Sequence, residues 1–482
     1  MSNKHQLFTE EMAPARLGQP WAFSKPRLRK EWDSLDEQSG ISMTQSEMLW
    51  LVIITMNIAG MRDEIFERWG SAPGAMQEYL MHFFVTWNVL WSPTTYSARF
   101  NDNDLFHSLL WGAYTIGLML LTAHLYVDLQ GYATVAATLS LILATAYARI
   151  AVCLPCACIY AAYQAVTLVV LATFLLSLSC TEERGALERA ALWVIGLAEP
   201  VAATVWKVGV FISGSQTKLD VPGDFSYIYQ RCNGMHNMYL VVSFLFPLGL
   251  QGARFSASAE AASVVLLGLV FGVILKLTLL DVPEINPDPT CADSRRHPMR
   301  RGWVHSRCFF FALPGSLLGV ALTGLGFVGA VIEAAGGGPG EDLVHECLSA
   351  GPALLVAMQG VIHALHAPRG DQAAAHRSRI ALAACSAFLF VLPYLQRWPP
   401  LPLPLLASFP PLGIFGHCAY DLLVQLLLLG ASVKLSAAGH NATPHPGTGT
   451  PHPGRHATAI SGRHAISHVH PLPPLVATRW FR

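Results

Sequence analysis

The sequence predicts an all-α fold: a polytopic transmembrane bundle of about twelve helices. Composition points there first. Hydrophobic residues fill 52% of 482 positions and charged residues only 13%, about half the share of an ordinary globular domain. Mean hydropathy is +0.40. Distribution points there next: the apolar residues fall in blocks of about 20, the length a helix needs to cross hydrocarbon. Inside a bilayer every backbone polar group needs an internal partner, and a helix supplies one within its own segment.

Formal net charge is zero, so no bulk electrostatic attraction to nucleic acid is expected. The ten cysteines are scattered and mostly lie inside apolar segments. There they act as small hydrophobes rather than as a disulfide framework. The expected partners are the lipid bilayer and a small ion or solute, with no cofactor and no metal.

Residues 1–46 read as a flexible cytosolic arm. Lys4, Arg16, Lys25, Arg27, Arg29 and Lys30 make it basic, and Pro14, Pro20 and Pro26 interrupt any helix. Its polar character does not match a cleavable signal peptide, so the first apolar helix is expected to act as an uncleaved insertion signal. The transmembrane domain covers 47–435, with spans near 47–61, 78–97, 105–126, 132–153, 157–179 and 190–212. The second half adds 235–252, 259–280, 308–332, 349–366, 378–395 and 412–434, and the first span can extend into Met61–Phe66. Residues 436–482 are rich in His, Pro, Gly and Thr and too poor in apolar surface to fold alone. The sequon Asn441-Ala442-Thr443 lies near their start.

Orientation follows the distribution of Lys and Arg in short loops. The 281–307 loop carries Arg295, Arg296, Arg300, Arg301 and Arg307, and the 367–379 loop carries Arg369, Arg377 and Arg379. With twelve helices both loops share a side with the basic arm. That places both termini in the cytosol, with the cell membrane as the expected location.

Chemistry is sought among ionisable residues at membrane depth, which cost ~2.5–3.5 kcal/mol each to insert. Glu199 precedes Pro200 in the sixth segment, where proline interrupts the hydrogen-bond ladder. A carboxylate beside freed backbone groups suits a cation or a proton. Lys207 lies eight residues further on, about two turns along nearly the same face. Asp421 lies inside the last segment. Arg149 and Lys276 sit near helix ends, where snorkelling to the interface is the expected behaviour.

A charge cluster, Arg99, Asp102 and Asp104, stands between the second and third spans. Arg99 and Asp102 have i,i+3 spacing, which permits a pair on a continuous helix. Asn101 to Asp104 equally suit a cap on the following helix, so a cap and a charged mouth or interhelical lock are both open. His82, His107, His124 and His417 are expected to be interhelical hydrogen-bonders. His363 and His366 have i,i+3 spacing but no convincing third ligand for zinc. Cys153, Cys156 and Cys158 in CLPCAC lie in an apolar run and are read as packing at a helix junction. No phosphate-binding loop, nucleotide fingerprint, nucleophile elbow or HExxH is present.

The stretch Phe83–Leu110, FFVTWNVLWSPTTYSARFNDNDLFHSLL, resembles the low temperature requirement A family of polytopic membrane proteins. Members carry a Trp-rich aromatic helix, an Arg-Phe followed by an Asp-rich turn, and an apolar helix. Arg99-Phe100 and Asp102–Asp104 fill those positions here. Glu47, in EMLWLVIITMNI, is similar to the acid of the family's opening stretch. Arg231–Gly249 is similar to an Arg-led helix, with Gln251 where members end in Glu. The resemblance implies a multi-pass membrane protein with a possible role in transport. Glu199, Lys207, Arg99, Asp102, Asp104 and Asp421 are the candidates for a polar pathway. Two other classes stay open: a lipid-modifying membrane transferase using His363, and a non-catalytic membrane scaffold.

Overall fold

The computed structural model describes residues 45–65, 75–100, 104–125, 129–179, 184–213, 223–245, 298–334 and 341–365, together with Pro26, Leu28, Val221 and helical residues between 262 and 276. Nearly all of these residues are helical, and no strand occurs among them. The predicted spans at 378–395 and 412–434, with Asp421, His417 and the C-terminal tail, lie outside the described residues. So do Asp102 and His366.

The helices are α1 (Gln45–Glu64), α2 (Ala75–Ser97), α3 (Leu105–Leu125), α4 (Leu129–Cys153), α5 (Cys158–Ser179) and α6 (Arg184–Ile212). They are followed by α7 (Phe225–Leu240), the short α8 (Pro298–Arg301), α9 (Trp303–Ala334) and α10 (Glu341–Leu365). Predicted ends fall within a few residues for α1 to α5. The starts of α6, α7, α9 and α10 come five to ten residues earlier than hydropathy placed them. Hydropathy marks where a helix is apolar, whereas backbone hydrogen bonding carries it on into polar residues. Asp224 shows this at α7: its carboxylate accepts the Tyr227 amide at 3.1 Å, an N-cap that starts the helix ahead of its apolar part.

Among the described residues, Leu105–Leu125, Leu129–Cys153, Pro155–Ser177 and Trp303–Ile332 are long and apolar enough to cross a membrane. The α6 pair Leu192–Ala198 and Pro200–Ile212, bent by 47° at Pro200, makes a fifth if counted as one span. Apolar helices of that length mark a membrane protein. The outer faces agree, for Leu109, Ile116 and Met119 of α3 and Val166, Val170 and Phe174 of α5 are exposed.

α2 is not among those spans, although it is largely enclosed. Met81, Phe83, Val85, Trp87, Trp91 and Tyr96 are buried, and so are His82, Thr86, Asn88, Ser92, Thr94 and Thr95. Polar side chains on several of its faces lower its hydropathy, and α1, α4, α6, α7 and α9 pack around it. α4 and α5 pack along each other across Leu154 and a 3-10 turn, Pro155–Ala157. α9 and α10 form the other close pair. A Cβ on Gly319 would lie 2.7 Å from the Leu355 amide nitrogen, and one on Gly351 would lie 2.5 Å from that of Thr323. Only a residue without a side chain allows this approach, the usual way helices gain contact where lipid competes for apolar surface.

Candidate functional site

The site lies at the corner between α2 and α3. α2 ends where Arg99 closes its last turn: Nη1 donates to the Thr95 carbonyl at 2.7 Å and Nε to the Val221 carbonyl at 3.2 Å. A cation at a helix C-terminus also complements the macrodipole. The Asp224 amide donates to the Ala98 carbonyl at 2.7 Å, joining the start of α7 to the end of α2. Leu28 of the N-terminal arm forms an antiparallel bridge with Phe100 at the same corner.

Asp104 opens α3. Its Oδ1 accepts the His107 amide at 2.9 Å, and its carbonyl accepts the Ser108 amide at 2.9 Å. That is an N-cap. The carboxylate also binds Arg149 of α4, with Nη2 3.0 Å from Oδ2 and Nη1 3.4 Å from Oδ1. Asp104 is therefore both an N-cap and an interhelical partner, its cation being Arg149 of α4 rather than Arg99 of the cluster. The Arg149 guanidinium lies 4.2 Å above the Phe106 ring, a cation–π contact that shields its other face. Its side chain is 18% exposed against 4% for Asp104. Arg149 thus does not snorkel as its place near a helix end suggested, because a buried carboxylate is within its reach.

His107 continues the chain of contacts. Its Nδ1 lies 2.7 Å from Asp104 Oδ1, and its Nε2 lies 2.7 Å from the Tyr96 hydroxyl of α2. An ionised carboxylate only accepts, so Nδ1 carries a hydrogen; in the neutral ring Nε2 then accepts the Tyr96 O–H. Tyr96 and His107 are both fully buried. Burial opposes the charge on Asp104, but the His107 amide, the Arg149 guanidinium and the His107 ring outweigh it and hold the carboxyl below its ordinary value of 3.8. The result is a line of four groups, Tyr96–His107–Asp104–Arg149, tying together α2, α3 and α4.

A second buried polar group lies deeper. Thr86 Oγ1 donates to Asn57 Oδ1 at 2.8 Å and lies 3.4 Å from the Tyr132 hydroxyl, while Asn57 Nδ2 donates to Thr122 Oγ1 at 3.4 Å. The His82 ring meets the Tyr132 ring edge-on at 4.6 Å. Between the two groups stands an aromatic layer: Trp50 packs on Trp111 at 5.3 Å and on Tyr114 at 5.6 Å. A third group joins α7, α9 and α10, where His236 Nδ1 donates to the Cys232 carbonyl at 3.0 Å and Nε2 lies 2.9 Å from Ser316 Oγ. His107 and His236 are hydrogen-bonded between helices, the role expected of His107, whereas His82 is buried against Tyr132 through a ring contact.

The candidates divide accordingly. Asp104 is in the site. Arg99 belongs to the same corner, where it clamps the end of α2 to the Val221 segment. Glu199 lies beside Pro200 where α6 bends, and Lys207 is half-buried two turns on; the Glu199 side chain is outside the described residues, as are Asp102 and Asp421. Lys276 is exposed. His363 lies on α10, its side chain outside the described residues. Cys153, Cys156 and Cys158 lie at the α4–α5 junction; Cys156 is exposed, so packing does not account for it, because the 3-10 turn points it outward. Among the described residues no three His, Cys, Asp or Glu side chains converge as metal ligands.

Among the site members, Tyr96 carries no signal in the sequence, and Arg149 reads there as a snorkelling side chain near a helix end. The Asp104-x-x-His107 spacing is a legible signal for a carboxylate cap facing an imidazole. Nothing local identifies Arg149, whose partner is 45 residues away in the chain. No protein-family model, curated protein or solved structure matches this chain.

Proposed function

We propose that the chain is a multi-pass membrane protein of the low temperature requirement A type, acting as a transporter or channel-like protein for a small ion. In this reading about twelve helices cross the cell membrane, with both termini in the cytosol. The observation that carries the reading is the line Tyr96–His107–Asp104–Arg149 buried between helices of an apolar bundle. Ionisable side chains in such places are expensive, and their usual role is in ion or proton pathways. The second polar group around Asn57, Thr86 and Tyr132 extends polar chemistry further along α2.

A structural lock between helices is the competing account of the ion pair. It explains Asp104 and Arg149 but gives no role to the imidazole and phenol aligned behind them. The test is ion flux in vesicles reconstituted with the full chain. Flux above that of empty vesicles, reduced in Asp104→Asn, supports the reading. A chain that inserts and yet moves no ion removes it.

A further inference from the structure

Where the last turn of α6 meets the first turn of α9, we propose a binding site for an anionic phospholipid, its phosphate held between Lys207 and Arg307. Phe211 of α6 packs on Trp303 of α9 with ring centroids 5.7 Å apart. Each helix carries a cation one turn in from that contact. Lys207 stands four residues before Phe211, and Arg307 four residues after Trp303. Side chains four apart share a helix face. α6 ends at the contact and α9 begins there, so both cations lie at a similar depth, about 5 Å in from it. Both are half-buried, and the Arg307 guanidinium lies 5.4 Å from the centre of the Phe310 ring. Two like charges at one seam repel, and each has several donors to offer, three on Lys and five on Arg. A phosphate accepts from both and removes the repulsion.

The flanks of the seam favour a lipid over a soluble anion. Val208 and Phe211 of α6 and Val304 and Phe311 of α9 are exposed, apolar surface of the kind that acyl chains cover in a bilayer. A phosphate between the two cations thus stands beside a surface suited to its own chains. The charge of the seam favours a headgroup with net negative charge, because the ammonium of phosphatidylcholine is repelled by the same cations. Arginine meets phosphate with a planar fork of donors and lysine with a point charge on a flexible stem. A tryptophan such as Trp303 is at home at headgroup level. Arg300 and Arg301 add positive charge just ahead of α9, on α8. Gly302, with φ +146°, breaks the helix between them, a conformation that only glycine adopts without strain.

The seam lies at the end of the bundle that holds the α2–α3 corner. Trp206, beside Lys207, packs on Tyr160 at 5.6 Å and on Tyr163 at 4.9 Å. The Arg99 guanidinium in turn lies 5.4 Å from the centre of the Tyr160 ring. In the orientation proposed above this end meets the cytosolic leaflet, where anionic lipids are held. The lipid site rests on the chain's place in a membrane and not on transport.

The experiment titrates the full chain, purified in a neutral detergent, with dioleoyl phosphatidylglycerol or dioleoyl phosphatidylcholine. Lipid adducts retained in native mass spectrometry and the shift in unfolding midpoint report binding. The expected result is retention of phosphatidylglycerol at lower concentration than phosphatidylcholine, and no shift with soluble glycerol phosphate. A cation near an anionic lipid is worth about 1 kcal/mol, or roughly fivefold in affinity. Lys207→Gln and Arg307→Gln should each weaken phosphatidylglycerol binding by that factor, and the double variant roughly thirtyfold. Lys207→Arg, which keeps the charge, should bind as wild type, and this separates lost charge from lost folding. The lipid preference of the wild-type chain needs no variant at all. Equal retention of the two lipids would overturn the inference. So would phosphatidylglycerol binding indifferent to the double variant, or an equal shift with glycerol phosphate, which would mark a soluble-anion site. Neither readout involves ion flux, so the lipid site stands or falls apart from the transport reading.

Discussion

The Tyr114 hydroxyl of α3 donates to the carbonyl of Val89 in α2. That carbonyl lies four residues before Pro93, which has no amide hydrogen to offer it. A proline within a membrane helix is tolerated when a neighbour satisfies the freed group, and here the neighbour is a phenol on the next helix. Tyr114→Phe should therefore cost about 1–3 kcal/mol, the usual penalty for an unsatisfied buried acceptor. In a Pro93→Ala background the helix supplies its own donor, and the same change should cost less. Denaturant titration of the four proteins in detergent gives the coupling; equal costs in both backgrounds would refute the assignment.

The Asp104–Arg149 pair should behave as a unit. Arg149→Met leaves a buried carboxylate without its cation and should destabilise the protein by about 3–5 kcal/mol, while adding Asp104→Asn should recover part of that loss. Strict additivity in the double-mutant cycle would show that the two side chains do not depend on each other.

Acid should weaken the corner in a defined direction. The Asp104 carboxyl is held below its ordinary value of 3.8 by its hydrogen bonds and by Arg149, against the effect of burial. A depressed folded value means that its stabilisation is complete above the unfolded value, near pH 4. It is lost as pH falls further, through the folded value. Thermal unfolding in detergent should show a loss of midpoint below about pH 4 that is smaller in Asp104→Asn. A midpoint with the same acid dependence in both proteins would count against the pair.

The α9–α10 seam makes a prediction about packing alone. Gly351→Ala places a Cβ 2.5 Å from the Thr323 backbone nitrogen, and should cost about 1–3 kcal/mol through overpacking. Gly112→Ala meets nothing within 4 Å, and should instead gain up to about 1 kcal/mol from helix propensity. Opposite shifts in unfolding midpoint are expected.

The His236–Ser316 contact provides a fifth stability test. Ser316→Ala leaves His236 Nε2 without its 2.9 Å partner, at a cost of about 1–3 kcal/mol. Ser316→Cys, which keeps a weak donor of similar size, should lose less.

What the sequence determined by itself was local. Blocks of apolar residues specify helices, because a chain in hydrocarbon has few other ways to satisfy its backbone. The cap at Asp104 was also legible, since a capping carboxylate and the amide it binds are three residues apart. The α2–α3 corner stood out in the same way, as a charged turn between two apolar runs. Its side chains could not be assigned from there. Arg99 and Asp104 are neighbours in sequence, yet Arg99 closes α2 while Asp104 takes its guanidinium from α4.

The tertiary structure decided which polar groups meet. Arg149 is 45 residues from Asp104 in the chain, and Thr86 is 46 from Tyr132. No helical period relates such positions. A buried charge or hydroxyl binds whichever partner helix packing brings within about 3 Å. That choice is made by the crossing of whole helices, where side chains from three or four of them compete for one small volume. For this reason apolar periodicity located the corner, while Tyr96, His107 and Arg149 became its working residues only once α2, α3 and α4 were packed together.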